Sequence, residues 1–264
     1  MNAKETLATP SKRALSFEAA KSFFLALWGI AAVTLAILYT AVLGIFAAAA
    51  AACGGEVLVS YIAKLWSIMI LRTCGIRVEL EGQEHLRGLD SFVLVANHQS
   101  VLDIFALLAA LPYHLRFVAK KELRRIPLVG YAMERSGHIM VDRERGGTAV
   151  RHAIRMAQRG YPIVFFAEGH RYADNKVHPF NEGAAWLAIL GKLPCVPTAL
   201  CGSGELYPPR AKIVRPYGTI RIKLCQPIAT AGLTAEDRES LTRKLEATVS
   251  EAFHDLLTRH GSNA

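Results

Sequence analysis

Cysteine pairing is missing from this sequence. Its five cysteines are an odd number, and no two of them are spaced Cys-x2-Cys. Neither a disulfide framework nor a metal site is therefore indicated, and we interpret the cysteines as reduced, small apolar residues. They are Cys53, Cys74, Cys195, Cys201 and Cys225.

Signatures of several other protein classes are also absent. There is no internal repeat, no Cys/His zinc pattern and no basic helix with interleaved aromatic residues, so the formal charge of +9 does not indicate a nucleic-acid-binding protein. The turn Gly202-Ser203-Gly204 lacks the flanking pattern of a phosphate loop or a nucleophile elbow, and we interpret it as a loop. A basic chain with a mean hydropathy of +0.25 instead indicates a partner that is both anionic and apolar, a membrane surface.

Charge is absent altogether between Lys21 and Glu56. A membrane-spanning helix needs about 20 apolar residues, and the run from Phe23 to Cys53 is longer. The apolar core of a cleaved signal peptide has about 7–15 residues, so a signal peptide is a poorer interpretation, although the Ala47–Ala52 tract offers small residues of the cleavage-site kind.

The sequence therefore divides into a basic tail at 1–21, membrane-embedded or interfacial helices at 22–75 and a domain at 76–264. Gly54-Gly55 interrupts the middle region, and the run from Val57 to Leu71 predicts a second membrane helix or an interfacial one. The basic N-terminus favours a cytosolic start. We favour two helices that form a hairpin or lie partly in one leaflet and return the domain to the cytosolic side. A single crossing with an external domain is the alternative.

From Arg77 onwards strand and helix patterns alternate, which predicts an α/β domain with a mainly parallel sheet covered by helices on both faces. The predicted strands lie at 77–81, 92–96, 116–119, 138–141, 163–166, 196–200 and 219–224. Predicted helices lie near 129–134, 148–159 and 182–190. Thr234 and Asp237 open a terminal helix whose apolar stripe we interpret as core packing.

One junction in this domain has the residues for acid–base chemistry. The strand pattern from Phe92 to Ala96 stops at a polar cluster, and a helical pattern ending at Pro112 follows. Ser100 is placed to cap that helix and Asp103 to lie in its first turn, where the helix dipole favours an ionised carboxylate. His98 then lies before the first turn, as an exposed imidazole close to Asp103.

His98 and Asp103 are five residues apart, and on one continuous helix they would point to different faces. With His98 outside the helix, the carboxylate can hold one ring nitrogen while the other takes a proton from an alcohol. The alternative is that Ser100 and Asp103 only cap a helix and His98 is a loop residue. The spacing alone favours that alternative.

Four blocks of residues resemble the motifs of the glycerolipid acyltransferases, in particular the 1-acylglycerol-3-phosphate acyltransferases. The first is the His-x4-Asp signature within Asn97-His98-Gln99-Ser100-Val101-Leu102-Asp103. The second comprises Lys120-Lys121-Glu122-Leu123, Ile126-Pro127, Gly130, Gly137 and Val141-Asp142-Arg143; the third is Phe166-Ala167-Glu168-Gly169-His170-Arg171, and the fourth Val196-Pro197-Thr198-Ala199-Leu200. The resemblance covers roughly residues 77 to 230, and four ordered blocks are far more specific than one motif.

The resemblance implies a general base, His98, oriented by Asp103. It assigns four residues to the acceptor site: Arg143, Glu168, Gly169 and Arg171. Glu168 would bind glycerol or orient Arg171. A guanidinium can hold a phosphate through two parallel hydrogen bonds, whereas Lys120 would act as a point charge. Each arginine taken alone would be interpreted as a solvated surface charge.

The implied function is transfer of a fatty acyl group from acyl-CoA or acyl carrier protein to the sn-2 hydroxyl of 1-acylglycerol 3-phosphate, giving phosphatidate in phospholipid biosynthesis. The thioester is already activated, so neither an enzyme nucleophile nor a metal or cofactor is needed. A thioester donor also requires the catalytic domain to face the cytosol at the inner membrane. The alternatives are acylation of another lysolipid, such as lyso-ornithine lipid, and a non-catalytic, membrane-anchored lipid-binding protein.

Three residues depart from the third block of that family and its sequel. Ala167 stands where the family commonly has proline, His170 where it has threonine, and Asn181 where a lysine is frequent. The missing lysine removes one possible phosphate contact. These departures bear on the identity of the acceptor and leave His98, Asp103 and Glu168 in place.

Overall fold

The computed structural model describes residues 12–141 and 146–260 as an N-terminal pair of helices followed by an α/β domain. The helices α1 to α8 span Lys12–Ala52, Glu56–Thr73, Leu102–Ala110, Val129–Arg135, Gly146–Gln158, Gly183–Gly191, Ser203–Leu206 and Arg238–His260. The strands β1 to β7 span Ile76–Glu81, Val93–Ala96, Arg116–Lys120, Ile139–Val141, Ile163–Phe166, Cys195–Cys201 and Gly218–Leu224. Short 3₁₀ turns occupy Gln83–Leu86, Lys121–Arg125 and Ala235–Asp237.

The strands form one seven-stranded sheet in the order β1-β7-β6-β2-β5-β3-β4. Neighbouring strands are parallel except β6 and β7, so the prediction of a mainly parallel sheet is confirmed. Parallel neighbours need a long crossover, usually a helix. The connection from β6 to β7 contains the four-residue helix α7, and β7 returns antiparallel.

Helices cover both faces of the sheet, as predicted. Along β2 the fully buried side chains alternate: Leu94 and Ala96 pack with α2 and α3, while Val93 and Val95 pack with α5, α6 and α8. The terminal helix α8 is preceded by a capping box between Thr234 and Asp237. Its apolar stripe is buried core, which confirms that prediction; the stripe is Leu241, Leu245, Val249, Phe253 and Leu256.

Helix α2 lies on the domain. The Trp66 ring meets Phe105 of α3 edge-on at 4.9 Å, and the Lys64 ammonium donates to the Leu111 carbonyl at 3.1 Å. The opposite side of α2 exposes a row of apolar residues, namely Val57, Leu58, Tyr61 and Leu65. The segment predicted as a second membrane helix or an interfacial one is thus an amphipathic helix held by the domain.

Helix α1 runs back along α2 and the domain. Its Trp28 indole donates to the Thr73 carbonyl at 3.1 Å, and a Cβ at Gly29 would lie 2.6 Å from the Val214 carbonyl oxygen, so only glycine permits this approach. Near the other end, Gly44 lies against Leu128. Among the described residues, only the Phe23–Ala52 part of α1 is long and apolar enough to cross a membrane.

Candidate active site

Four adjacent parallel strands end at one edge of the sheet, where α/β proteins bind ligands. His98 follows β2, Glu168 follows β5 and Lys120 ends β3, in the order in which these strands lie side by side. Arg143 follows β4 in the sequence but lies outside the described residues. The structure therefore brings the other predicted site residues to a common edge.

Asn97 holds the start of the loop that carries His98. Its side-chain amide donates to the Leu200 carbonyl at 2.9 Å, and its oxygen accepts from the Leu200 amide at 2.8 Å. Both residues are fully buried, and this pair of bonds continues the pairing of β2 with β6 beyond the last ladder position, Ala96 opposite Thr198. The polypeptide entering His98 is thereby fixed to the neighbouring strand.

The expected contact between His98 and Asp103 is present. The His98 Nδ1 lies 2.9 Å from Asp103 Oδ2, and because the carboxylate accepts, this nitrogen carries the hydrogen. The amides of Gln99 and Ser100 donate to the same oxygen at 2.8 and 2.9 Å, and the Ser203 hydroxyl donates to Oδ1. The fully buried carboxylate therefore receives four hydrogen bonds.

Ser100 makes the capping contact predicted for it at the start of α3. The helix begins at Leu102, Val101 before it already has helical backbone angles, and the Ser100 hydroxyl accepts from the Leu102 amide at 3.3 Å. The same hydroxyl also donates to the Tyr207 carbonyl at 2.6 Å, because this buried turn packs against α7. The Asp103 carboxylate adds to the cap, since it accepts from the amides of Gln99 and Ser100 that precede the helix.

The His98 imidazole is more enclosed than predicted. Its side chain is 14 % exposed, and one face stacks on Phe166 with ring centroids 3.8 Å apart. Within residues 12–141 and 146–260, Nε2 has no hydrogen-bond partner. One nitrogen is thus held by a carboxylate, one ring face by an aromatic ring, and the second nitrogen is available to a ligand.

Glu168 supports the loop that carries His98. One carboxylate oxygen accepts from the His98 amide at 2.8 Å and the other from the His178 amide at 2.9 Å, and the residue is 5 % exposed. Burial raises the pKa of this carboxyl to about 7, although the two amide donors oppose the shift. Both oxygens accept from backbone amides, and among the described residues Glu168 makes no hydrogen bond or ion pair with Arg171, so this geometry shows neither glycerol binding nor orientation of Arg171.

Gly169 forms the turn that separates Glu168 from Arg171. Its φ of +69° is in the left-handed region, which other residues adopt at a cost, and its amide donates to the Phe166 carbonyl at 3.1 Å. Arg171 then projects into solvent, as does Lys120 at the end of β3. Neither cation pairs with an acidic group among the described residues, so both are free to bind an anion.

The comparisons with known proteins agree with this geometry. An acyltransferase family model matches residues 77–201. An uncharacterized acyltransferase of Schizosaccharomyces pombe is 34% identical over 211 residues, which are 77% of this chain and 75% of the relative. The human 1-acyl-sn-glycerol-3-phosphate acyltransferase alpha is 30% identical over 203 residues, 75% of this chain and 71% of the relative. The chain belongs to the 1-acylglycerol-3-phosphate acyltransferase family.

The fold of this acyltransferase is also found in a solved structure. A 1-acyl-sn-glycerophosphate acyltransferase from Thermotoga maritima superimposes with a TM-score of 0.72 over 90% of this chain and 97% of that chain. The sequence identity of 24% makes this a likeness of fold. The likeness of fold extends over most of both chains.

Sequence reasoning missed several residues that build the acyltransferase site. Asn97 fixes the loop that carries His98 to β6, and Phe166 stacks on the His98 ring. Ser203 donates to Asp103, and Tyr172 donates its amide to the His98 carbonyl at 3.0 Å. Ser203 follows β6, which is next to β2 and parallel to it, so its place at the same sheet edge was a usable signal. In the described parts of the chain, no three His, Cys, Asp or Glu side chains are grouped as metal ligands.

An apolar groove opens beside the loop that carries His98 in this acyltransferase. This cavity of about 460 Å³ lies between α1, α2 and α3. It is lined at the end near the site by Val101, Leu102 and Tyr207, and along its length by Ala36, Trp66 and Phe105 among others. Its walls can bury a hydrocarbon chain close to the loop that carries His98.

Proposed function

We propose that this acyltransferase moves a fatty acyl group from a thioester, acyl-CoA or acyl carrier protein, to the sn-2 hydroxyl of 1-acylglycerol 3-phosphate. The product is phosphatidate. The observation that carries the proposal is the His98–Asp103 pair with a free Nε2 at the sheet edge where Arg171 and Lys120 are unpaired. Relatives named 1-acyl-sn-glycerol-3-phosphate acyltransferase, including the human alpha enzyme, support the choice of acceptor.

His98 acts as the general base. Nε2 takes the proton of the acceptor hydroxyl, while Asp103 holds the ring and stabilises the imidazolium that forms. The hydroxyl oxygen bonds to the thioester carbonyl carbon, the carbon–sulfur bond then breaks, and His98 returns the proton to the leaving thiolate. An acyl-enzyme is unnecessary because the thioester is activated. The nearby Cys201 is unsuited to that role, since burial raises the pKa of its thiol to about 11.

Arg171 binds the phosphate of the acceptor. Its position beyond the end of β5 places it at the same edge as His98, and it has no competing acidic partner in the part of the chain that the structure describes. A guanidinium can hold a phosphate through two parallel bonds. Lys120 adds a point charge, and Arg143 joins them as the residue that the family motif assigns. Glu168 and Gly169 shape the loop that carries Arg171.

The acyl chains and the membrane lie on the side of α1 and α2. The apolar groove between these helices and α3 supports burial of a hydrocarbon chain. Aromatic and aliphatic residues on the outer surface of α1 are half to two-thirds exposed, which includes Phe23, Phe24 and Phe46. Such a surface favours insertion among lipid acyl chains.

The hairpin lies in the cytosolic leaflet of the inner membrane, and the domain remains in the cytosol. Contacts from Trp28 to Gly44 keep α1 against the domain along its length, which supports a helix that lies beside the domain over one that leaves it to cross a bilayer. Protease added outside intact cells should leave residues 77–264 intact. Digestion of that region from outside would establish the external-domain alternative.

The test of activity uses full-length protein purified in detergent and mixed micelles of defined lysolipid. Lysophosphatidate and lyso-ornithine lipid are each offered with acyl-CoA and with acyl carrier protein thioester, and the acylated product is measured. We expect phosphatidate from lysophosphatidate and a loss of about 10²–10⁴-fold in the His98→Ala variant. Preference for lyso-ornithine lipid would change the acceptor assignment. Absence of turnover in every combination would favour a lipid-binding protein, and turnover by folded His98→Ala at the wild-type rate would remove His98 from the mechanism.

A further inference from the structure

Ser203 lies beneath the catalytic pair, on the far side of the Asp103 carboxylate from His98. It is fully buried in the Gly202-Ser203-Gly204 turn that follows β6. Its hydroxyl donates to Asp103 Oδ1, whereas His98 Nδ1 donates to Oδ2. The carboxylate is thus held between a serine and the imidazole.

The turn is fixed closely enough to aim this hydroxyl. Gly202 has a φ of +92°, and a Cβ there would lie 2.4 Å from the Thr219 carbonyl oxygen. A Cβ on Gly204 would lie 3.2 Å from the Cβ of Gln99, so the turn packs directly on the loop that carries His98. The Ser100–Tyr207 hydrogen bond of 2.6 Å ties the loop to the other end of α7.

The two oxygens of the Asp103 carboxylate accept different numbers of hydrogen bonds. Oδ2 receives three hydrogen bonds, from Gln99, Ser100 and His98, while Ser203 is the donor to Oδ1 among the described residues. A fully buried carboxylate oxygen without a donor would retain its whole charge in a medium of low polarity. By donating to this oxygen, the Ser203 hydroxyl reduces the negative charge that Asp103 presents to the imidazole.

We propose that Ser203 is a positioning residue for the His98–Asp103 pair, which fixes the plane of the Asp103 carboxylate and moderates the charge that this carboxylate presents to His98. The inference rests on the proposed general-base role of His98. A hydrogen bond to an ionised group is stronger than one between neutral groups, so this serine influences the basicity of His98 without contacting it.

Removal of the Ser203 hydroxyl strengthens the electrostatic attraction between the Asp103 carboxylate and the His98 imidazolium. In Ser203→Ala we expect the acidic limb of the kcat/KM profile to move to higher pH by about 0.5–1 unit, as a change in the charge near a titrating group does. The KM for each substrate should change less than about twofold, a small effect in free energy. Ser203→Thr retains the hydroxyl and should keep the wild-type limb.

In the pH profile, the titration of other groups around the pair must be distinguished from that of His98. The Glu168 carboxylate faces the His98 amide and has its pKa raised to about 7 by burial, and its second oxygen meets the His178 amide. Cys201 next to Asp103 titrates far higher because burial raises the pKa of its thiol to about 11. The profiles are therefore repeated in a Glu168→Gln background, where the displacement caused by Ser203→Ala should persist.

Ser100→Ala is the matched control. It removes an equally buried hydroxyl a few residues from Asp103 in the sequence. That hydroxyl donates to the Tyr207 carbonyl and accepts from the Leu102 amide, and it does not bind the carboxylate. Its acidic limb should stay at the wild-type pH whatever happens to kcat. If Ser203→Ala does not fold, Ser203→Cys, whose thiol donates weakly, should move the limb in the same direction.

The inference is overturned if the acidic limb of the kcat/KM profile of folded Ser203→Ala stays at the wild-type pH. It is also overturned if Ser100→Ala or Ser203→Thr displaces that limb equally. Turnover by His98→Ala at the wild-type rate would instead overturn the general-base proposal. An inactive His98→Ala with an unmoved Ser203→Ala limb removes only the role of Ser203.

Discussion

Asp103→Asn should remove a charge from the site while leaving its hydrogen bonds. The amide oxygen can occupy the place of Oδ2, where it accepts from His98, Gln99 and Ser100, and the amide nitrogen then occupies the place of Oδ1. There it donates to Ser203, whose hydroxyl can rotate from donor to acceptor. Every group keeps a partner, so we expect Asp103→Asn to fold with nearly the wild-type free energy of unfolding.

The cost to the reaction follows from the geometry. With Nδ1 and Oδ2 2.9 Å apart, the two delocalised charges are centred about 4 Å apart, and an effective dielectric constant of about 20 gives about 4 kcal/mol for their attraction. That stabilisation exists only once the imidazolium has formed, so its loss should lower kcat by about 10³-fold.

Thiol release from acyl-CoA in lysophosphatidate micelles measures kcat, and thermal unfolding in the same detergent checks the fold. Asp103→Ala is the contrasting variant, because it leaves four donors without their acceptor and should lose stability as well. A fall in kcat of less than tenfold in folded Asp103→Asn would refute the view that Asp103 acts through its charge.

Three further predictions follow from the surrounding contacts. Asn97→Ala leaves the amide and carbonyl of Leu200 unpaired, at about 1–3 kcal/mol each, so denaturant unfolding should show a loss of about 2–6 kcal/mol. Glu168 has a pKa raised by burial from 4.5 to about 7, so its contribution favours folding at low pH and is lost as pH rises through 7. The stability of non-titrating Glu168→Gln relative to wild type should therefore rise by about 3 kcal/mol between about pH 4 and pH 8. Arg171→Lys should raise the apparent KM for lysophosphatidate, by an amount equivalent to about 1.5–3 kcal/mol, and leave that for the donor nearly unchanged.

Each of these has a contrary result. Wild-type stability of Asn97→Ala would mean that the end of β2 is held elsewhere. A constant stability difference between Glu168→Gln and wild type across this pH range would place the titration of Glu168 outside it. A raised donor KM in Arg171→Lys would assign Arg171 to the thioester, and a wild type that preferred a lysolipid without phosphate would favour the lyso-ornithine alternative.

The strands could be predicted because each is a short run of apolar residues or of apolar residues alternating with polar and charged ones, and all seven agree within one residue at each end. The His98–Asp103 contact could also be anticipated, but from the resemblance to the acyltransferase motif, because the spacing alone favoured a helix cap without such a pair. The residues that support this contact could not be predicted. Glu168 and Ser203 are far from His98 and Asp103 in the sequence, and their partners are backbone amides or a buried carboxylate. Glu168 itself was assigned from the resemblance, but its contacts are visible only in the fold.

The second contact of Ser100 and the direction of β7 illustrate a second limit. Ser100 has the right residue type for a cap and accepts from the Leu102 amide, but its further bond to the Tyr207 carbonyl is a tertiary contact that the local sequence does not show. The strand pattern of β7 is the same for either direction, and the short α7 in its connection allows the antiparallel return. Local propensity identifies such elements, whereas tertiary packing decides how they are used.

The separations in sequence that define this site also determine when it can form. His98 and Asp103 are 5 residues apart, but Asn97 and Leu200 are 103 apart and Ser100 and Tyr207 are 107 apart. Contacts between such distant residues form slowly, since a long loop must close first. In a nascent chain His98 and Asp103 are therefore synthesised long before β6 and α7, and activity should appear only after residue 207 has been synthesised and has docked.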